Sequence, residues 1–229
     1  MNAPSVQEQT PHFQDRRDAG RQLAQRLQAY RGAGTLVLGI PRGGVVVAAE
    51  VAGQLGAELD IVVARKLGAP GEAELAIGAV TADGERWLNE SLVQMLNVPP
   101  TYLEDVTRRE RAEAERRERV LRGGQPALPV KGRTVIVVDD GLATGATARA
   151  ALRSVRRRGP GSLLLAVPVG AHDSCRALAT EADEIICPCE LMELIAISIY
   201  YDEFTQVEDS EVEAIMTAAR RSETVPPAR

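Results

Sequence analysis

Residues 135–152 read VIVVDDGLATGATARAAL, and no other stretch constrains the fold as tightly. Val135–Val138 are four β-branched apolar residues, which suit a strand buried on both faces. They run straight into Asp139 and Asp140, then a loop of small residues, then an alanine-rich helix. A strand–loop–helix unit returns the chain to its sheet by a right-handed crossover. The two carboxylates repel each other and the loop packs nothing, so neither serves the core. The fold must open the carboxyl end of this strand onto something these groups can hold.

The same alternation recurs along the chain. Asp15 can cap a helix through about Ala29, with Leu23 and Leu27 on one face. TLVLGI (35–40) is a buried strand, GGVVVAAEVAGQL (43–55) a helix and LDIVVAR (59–65) a second strand. GAPGEAEL (68–75) reads as a loop and AIGAV (76–80) as a third strand. From Leu88 to Lys131 the character changes, and YLEDVTRRERAEAERRERVLRGG alternates acid and base. It reads as a solvated helical insertion laced with i,i+4 ion pairs, or else as a basic contact surface. Next come RTVIVVDD (strand), TGATARAALRSVRRRG (helix), SLLLAVPV (strand), a helix from about His172 to Thr180 and DEIICP (strand). A C-terminal helix is expected near Asp209–Arg220. Residues 1–12 and 221–229 read as flexible tails around one domain, 13–220. The expected class is α/β, a mostly parallel central sheet flanked by helices, with ligands held beyond the carboxyl ends of the strands. Two of those ends are unusual: Gly39-Ile40-Pro41-Arg42-Gly43-Gly44, and Asp139 onward.

Composition narrows the class. The 229 residues fit one domain with an insertion, and aromatics are only 3%, so Val, Leu, Ile and Ala must build the core. A net charge of −5 argues against bulk electrostatic binding of nucleic acid, and no DNA partner is expected. The start is polar, without a basic residue or an apolar run, so no signal peptide is expected. The apolar stretches 163–169 and 194–201 are too short for a bilayer span, so no membrane partner is expected. Three cysteines, Cys175, Cys187 and Cys189, are a sparse, odd set that suits a reducing, cytoplasmic setting. With His172 they could make a zinc site, but buried structural cysteines are the simpler reading.

The loop after Asp140 contains Gly141, Ala143, Thr144, Gly145, Ala146 and Thr147. Small residues let backbone N–H groups curl around an anion, and a helix N-terminus and two hydroxyls add to that. Carboxylates instead want hydroxyls or a metal-bound diol. A phosphorylated sugar satisfies both ends. Competing motifs fail: counting from Gly141 or from Gly39 gives no Gly-Lys-[Ser/Thr] of a P-loop. A phosphate-receiver domain needs an aspartate ending a later strand, and Asp183 precedes its strand.

At Val135–Thr147 the sequence resembles the type I phosphoribosyltransferases, whose signature is an apolar strand, two acids and a Gly/Thr loop. The resemblance implies that Thr144, Gly145 and Thr147 hold the 5′-phosphate of 5-phosphoribosyl-1-pyrophosphate (PRPP), with Gly141, Ala143 and Ala146 in the same loop. It implies that Asp139 and Asp140 hold the ribose hydroxyls, and Mg²⁺ mostly through water and PRPP oxygens. Pro41-Arg42-Gly43-Gly44 resembles the pyrophosphate loop, where the family often has a strained peptide bond. There Arg42 and backbone N–H groups would bind the leaving group, and Gly43 would tolerate close approach. Arg65-Lys66 and LGAPGEAEL resemble the flexible catalytic loop that closes over PRPP. Catalytic roles are thereby implied for Arg42, Arg65 and Lys66. The expected assembly is a homodimer with a helical insertion at 88–131 and a small hood near 187–207.

The likeness is nearest to an uncharacterised subgroup with a Phe-x-Asp-Arg…Ala-Gly start, here Phe13, Asp15, Arg16, Ala19 and Gly20. It covers about residues 13–215. The chain departs from that subgroup at Glu72-Ala73, where Asn-Pro is usual, and at Leu194–Ser198 before Tyr200-Tyr201, beside the hood over the acceptor. Ala143 stands where 6-oxopurine enzymes of the family place an aspartate base, which points away from hypoxanthine and guanine. The expected function is transfer of phosphoribosyl to a nitrogenous base. A non-catalytic PRPP sensor or RNA-binding regulator is the alternative.

Overall fold

The computed structural model describes residues 12–32 and 34–223. The chain order is α1 (Arg16–Arg26), β1 (Thr35–Gly39), α2 (Gly43–Leu55), β2 (Glu58–Ile61), β3 (Ala64–Ala69), β4 (Glu72–Thr81) and β5 (Arg86–Leu88). Then come α3 (Glu90–Met95), α4 (Pro100–Leu121), β6 (Thr134–Val138), α5 (Ala146–Arg157), β7 (Ser162–Ala166), β8 (Val169–Ala171) and α6 (His172–Leu178). Last are β9 (Glu184–Ile186), β10 (Cys189–Leu191) and α7 (Asp209–Glu223). The expected α/β class holds. A parallel five-stranded sheet runs β2-β1-β6-β7-β9 and is covered on both faces.

Alternation within the strands builds two cores. Val37, Ile136, Val138 and Leu164 face one side, against α1, α2 and α7. Leu36, Leu38, Val135, Val137, Leu163 and Leu165 face the other, against α5 and α6. The chain leaves β1 through α2 toward β2, and leaves β6 through α5 toward β7. Crossovers depart in opposite directions from neighbouring strands, so the topological switch point falls between β1 and β6. Such a point leaves a crevice beyond the strand ends, and both unusual loops flank it.

Several expectations need correction. The strand expected over 59–65 is two strands: β2 stops at Ile61, and Arg65 belongs to β3 of a separate antiparallel sheet, β3-β4-β5. An unbroken apolar run hides a change of sheet, because alternation cannot mark it. The loop expected over 68–75 is mostly a β3–β4 hairpin, turned at Pro70-Gly71 with Gly71 at φ 77°. Its register shifts beside Gly68, where an added Cβ would lie 2.6 Å from the Ala73 carbonyl oxygen. AIGAV is therefore the end of β4 and lies outside the parallel sheet. SLLLAVPV likewise divides, β7 staying central while β8 pairs with β10. Most of the two expected tails lies outside the described residues, but His12 pairs with Asp202 at 2.6 Å and α7 continues past Arg220.

The insertion is helical and carries the expected i,i+4 pairs at Arg111–Glu115 and Arg122–Glu118, with an i,i+3 pair, Arg116–Glu113, beside them. It is not wholly solvated. Val106 packs into the core under the antiparallel sheet, and Ala114 and Leu121 pack into the main core. None of the described helices is long and apolar enough to cross a membrane.

Candidate active site

The loop after β1 is fastened to the strand beside it, Ile40 N–H donating to the Val138 carbonyl at 2.8 Å. The Pro41–Arg42 peptide is cis, and α2 starts at Gly43. Gly43 lies against the Asp140 carboxylate, and a Cβ there would overlap it and come within 2.6 Å of Arg16 Nε. A Cβ at Gly44 would lie 2.8 Å from Asp139 Cα. The two glycines thus let the Pro41-Arg42-Gly43-Gly44 loop touch the acidic pair directly, joining two motifs nearly a hundred residues apart.

Asp139 and Asp140 are both half-buried. Asp140 N–H donates to Asp139 Oδ1 at 2.9 Å. Burial pushes the Asp139 carboxyl well above its ordinary range, and the Asp140 charge adds to this. Arg16 supplies a cation from outside the motif. Its Nε donates to Asp140 Oδ2 at 2.7 Å and its Nη1 to the Thr205 carbonyl at 2.8 Å, with the guanidinium 3.8 Å over the Phe204 ring. Tyr201 donates its hydroxyl to the Asp140 carbonyl at 2.6 Å. Burial and the nearby Asp140 carboxylate push that phenol up, so it stays a neutral donor.

The loop of small residues is held from behind. Leu142 bridges to β8, its N–H donating to Val169 O at 2.9 Å and its carbonyl accepting from Ala171 N at 2.8 Å. Ser174 Oγ donates to the Ala143 carbonyl at 2.5 Å. Gly145, at φ 72°, turns the chain into α5, whose first turn has neither an acidic residue nor a side-chain cap. Backbone donors there are open to an anion. Ala143 and Thr144 are exposed and Thr147 is half-buried. Gly141 accepts the Ile197 side chain, which would lie 2.5 Å from an added Cβ. Ile197 therefore lies beside the acid pair, and Met192, Ile195 and Ile199 of the same segment are exposed.

Arg65 and Lys66 point to opposite faces of β3, as neighbours in a strand must. Arg65 donates twice to Glu110 Oε2 of α4, at 3.0 and 2.8 Å. Lys66 is exposed on the Ala64 face, and Ala64 packs into the central-sheet core. The two cations expected to act together are thus separated by the pleat.

Sequence reasoning missed the roles of Arg16, Tyr201, Phe204 and Ser174. The signal for Arg16 is the Phe13–Gly20 motif, whose chemistry comes only from Asp140 beside it in the fold. The cysteines are free. The Cys175 and Cys187 thiols face each other over Gly170, and His172 pairs with Glu190 at 2.6 Å. Among the described residues, no cluster of three or more His, Cys, Asp or Glu is arranged to hold a metal.

A family model described as a phosphoribosyl transferase domain matches residues 12–203. The chain is 45% identical over 209 residues to "Putative phosphoribosyl transferase Rv0571c" of Mycobacterium tuberculosis (strain ATCC 25618 / H37Rv), covering 91% of this chain and 47% of that protein. The figures are the same for its namesake MT0597 of strain CDC 1551 / Oshkosh. The chain thus spans about half the length of the curated relatives it matches. In structure it is similar to TT1426 from Thermus thermophilus, with a TM-score of 0.76 and 42% identity over 90% of this chain and 98% of that one. The chain belongs to the phosphoribosyl transferase family and carries its type I fold.

Proposed function

We propose that the protein transfers the 5-phosphoribosyl group of PRPP to a nitrogenous base and releases pyrophosphate. The observation that carries this reading is the contact of Gly43 and Gly44 with the acidic pair at the switch point. It supports one crevice in which the 41–44 loop would bind an anion, the acid pair would bind hydroxyls and the start of α5 would bind a second anion. PRPP carries one group for each: pyrophosphate for 41–44, ribose hydroxyls for Asp139 and Asp140, and 5′-phosphate for 143–147.

The acceptor nitrogen would form its bond at the anomeric carbon as the bond to pyrophosphate breaks. Positive charge then develops on the ribose and negative charge on the leaving group. Arg42 and the loop N–H groups meet the second, and the carboxylates of Asp139 and Asp140 the first. Lys66 is the cation we assign to closure over pyrophosphate, while Arg65, held by Glu110, positions the hairpin. Closure excludes water, which would otherwise hydrolyse PRPP.

Two adjacent carboxylates balanced by one guanidinium leave a negative charge on hard oxygen donors, which fits Mg²⁺. Asp139 and Asp140 would hold it, with water and PRPP oxygens completing its shell. Bound there, it would neutralise the pyrophosphate oxygens. Ala143 offers no carboxylate to act as a base on a 6-oxopurine, so we infer a different acceptor class.

Most arginines of the arginine-rich stretches are paired within the chain, which weighs against the RNA-binding alternative. Arg108, Arg109, Arg111, Arg116 and Arg117 each meet a carboxylate, as do Arg153, Arg156 and Arg157. The three free thiols suit a cytoplasmic protein, and light scattering after gel filtration will test the expected homodimer.

The direct test is calorimetric titration of PRPP with Mg²⁺ into wild type and into the Asp139→Asn/Asp140→Asn pair. Binding by the wild type alone is expected, and equal binding by both would overturn the reading. A pyrophosphate-release screen over purines, pyrimidines and nicotinic-type acceptors would then name the base. In that assay Gly43→Ala should lower kcat/KM by about 100-fold, because its methyl displaces the Asp140 carboxylate.

A further inference from the structure

Arg16 is the one cation bonded to the acidic pair among the described contacts, yet it belongs to neither loop. It occupies the first position of α1, where a positive side chain opposes the helix dipole. Local helix physics therefore does not account for it. Its surroundings do. Its side chain is 10% exposed and is gripped by Asp140 Oδ2, the Thr205 carbonyl and the Phe204 ring.

Both ends of this arrangement are anchored. Asp15 caps α1 by accepting from Asp18 N–H at 2.7 Å, which fixes where Arg16 stands. Phe13 N–H donates to Tyr200 O, and Asp202 and Glu203 N–H donate back to Phe13 O and Gln14 O, all at 2.9 Å. This short ladder locks the N-terminal segment to residues 200–203. Phe13, Tyr201 and Phe204 then stack in series, at centroid distances of 5.3 and 4.8 Å. Tyr201 holds the backbone of Asp140 and Arg16 holds its side chain.

We propose that Arg16 is a positioning residue for PRPP: it fixes the Asp140 carboxylate for the ribose and makes that carboxylate's aim depend on the docking of segment 200–205. The proposal rests on the PRPP reading above. Asp140 has one flexible side chain and no other cation bonded to it among the described contacts, so its aim is set by what grips Oδ2. A lysine could not replace Arg16 fully. A single ammonium point charge cannot meet Asp140 and Thr205 while stacking flat on Phe204.

The test is a double-mutant cycle read by calorimetry, titrating PRPP with Mg²⁺ into wild type, Arg16→Gln, Asp140→Asn and the double variant, with thermal melts as folding controls. Arg16→Gln should bind about 10- to 100-fold more weakly. The double variant should bind no more weakly than Asp140→Asn alone, because the residues act as one unit. Arg16→Lys should recover part of the loss. Phe204→Leu, which keeps both charges, should lose about threefold and decides the matter if Arg16→Gln does not fold. Losses that multiply in the double variant would overturn the proposal, since Arg16 would then act apart from Asp140. So would wild-type affinity in Arg16→Gln, or in Phe204→Leu and Arg16→Lys together. A wild type that binds no PRPP overturns the functional reading itself, and this inference with it.

Discussion

Asp139→Asn is expected to melt at a higher temperature than wild type near neutral pH and to bind PRPP about 10- to 100-fold more weakly. Both effects come from one carboxyl group. Burial disfavours its charged form, and the Asp140 charge beside it adds to that. Asparagine keeps the shape and the oxygen that accepts the Asp140 N–H at 2.9 Å. It removes the charge that the folded protein resists and the acceptor that the ribose hydroxyl would use. A gain in stability with a loss of binding marks a group retained for function.

The pH dependence fixes the sign. The folded-state pKa of Asp139 lies above its ordinary value of 3.8. Below that ordinary value the group is protonated in both folded and unfolded chains, and the substitution changes little. As pH climbs through the raised folded value, the folded protein gives up the proton against its surroundings, and the stability cost grows to its full size. The advantage of the asparagine variant should therefore be absent in acid, rise with pH and level off. Thermal melts of both proteins from about pH 4 to 8 read this directly. A variant that never melts above wild type across that range would show that burial and Asp140 do not burden this carboxyl.

What could be read from sequence was local. Val135–Thr147 is a strand, a turn and a helix start in succession, and each is set by neighbours in the chain. The same holds for 35–55. The separation of β2 from β3 was not legible, because Leu59–Ala64 contains only one polar residue and carries no mark of the bend. The hairpin at Pro70-Gly71 looked like a loop because the residues flanking the turn, Gly68-Ala69 and Glu72-Ala73-Glu74, are small or charged, poor strand formers on their own. Arg16 and Tyr201 meet Asp140 across 124 and 61 residues. Nothing near either residue names that partner, so their roles follow only from the tertiary fold. Asp60 shows the same limit, since an acid inside an apolar strand was visible while its partner was not.

Asp60→Ala is expected to cost about 3–5 kcal/mol of stability, the usual penalty for leaving one half of a buried ion pair. Asp60 is fully buried and Arg122 nearly so. The Asp60 carboxylate accepts from Arg122 Nε and Ile61 N–H at 2.9 Å each, and from Leu128 N–H at 2.8 Å. Arg122 also reaches the Ile61 carbonyl at 2.7 Å and Glu118 at 2.8 Å. Removing the carboxylate leaves the buried Arg122 guanidinium with only Glu118 and the Ile61 carbonyl, and takes the acceptor from the Ile61 and Leu128 N–H groups. In a domain of this size that should lower the melting temperature by about 10 °C. Asp60→Leu/Arg122→Met should recover part of the loss, because the pair's own desolvation cost disappears while Glu118 loses its cation. The pair ties the end of α4 to the edge strand β2, and α4 carries the Glu110 that holds Arg65 beside Lys66. In amide exchange, Asp60→Ala should therefore loosen β3 and β4 more than β6, whose neighbours on both sides are untouched. Equal loosening of β6 would mean that the ion pair stabilises the whole sheet rather than the seat of the hairpin.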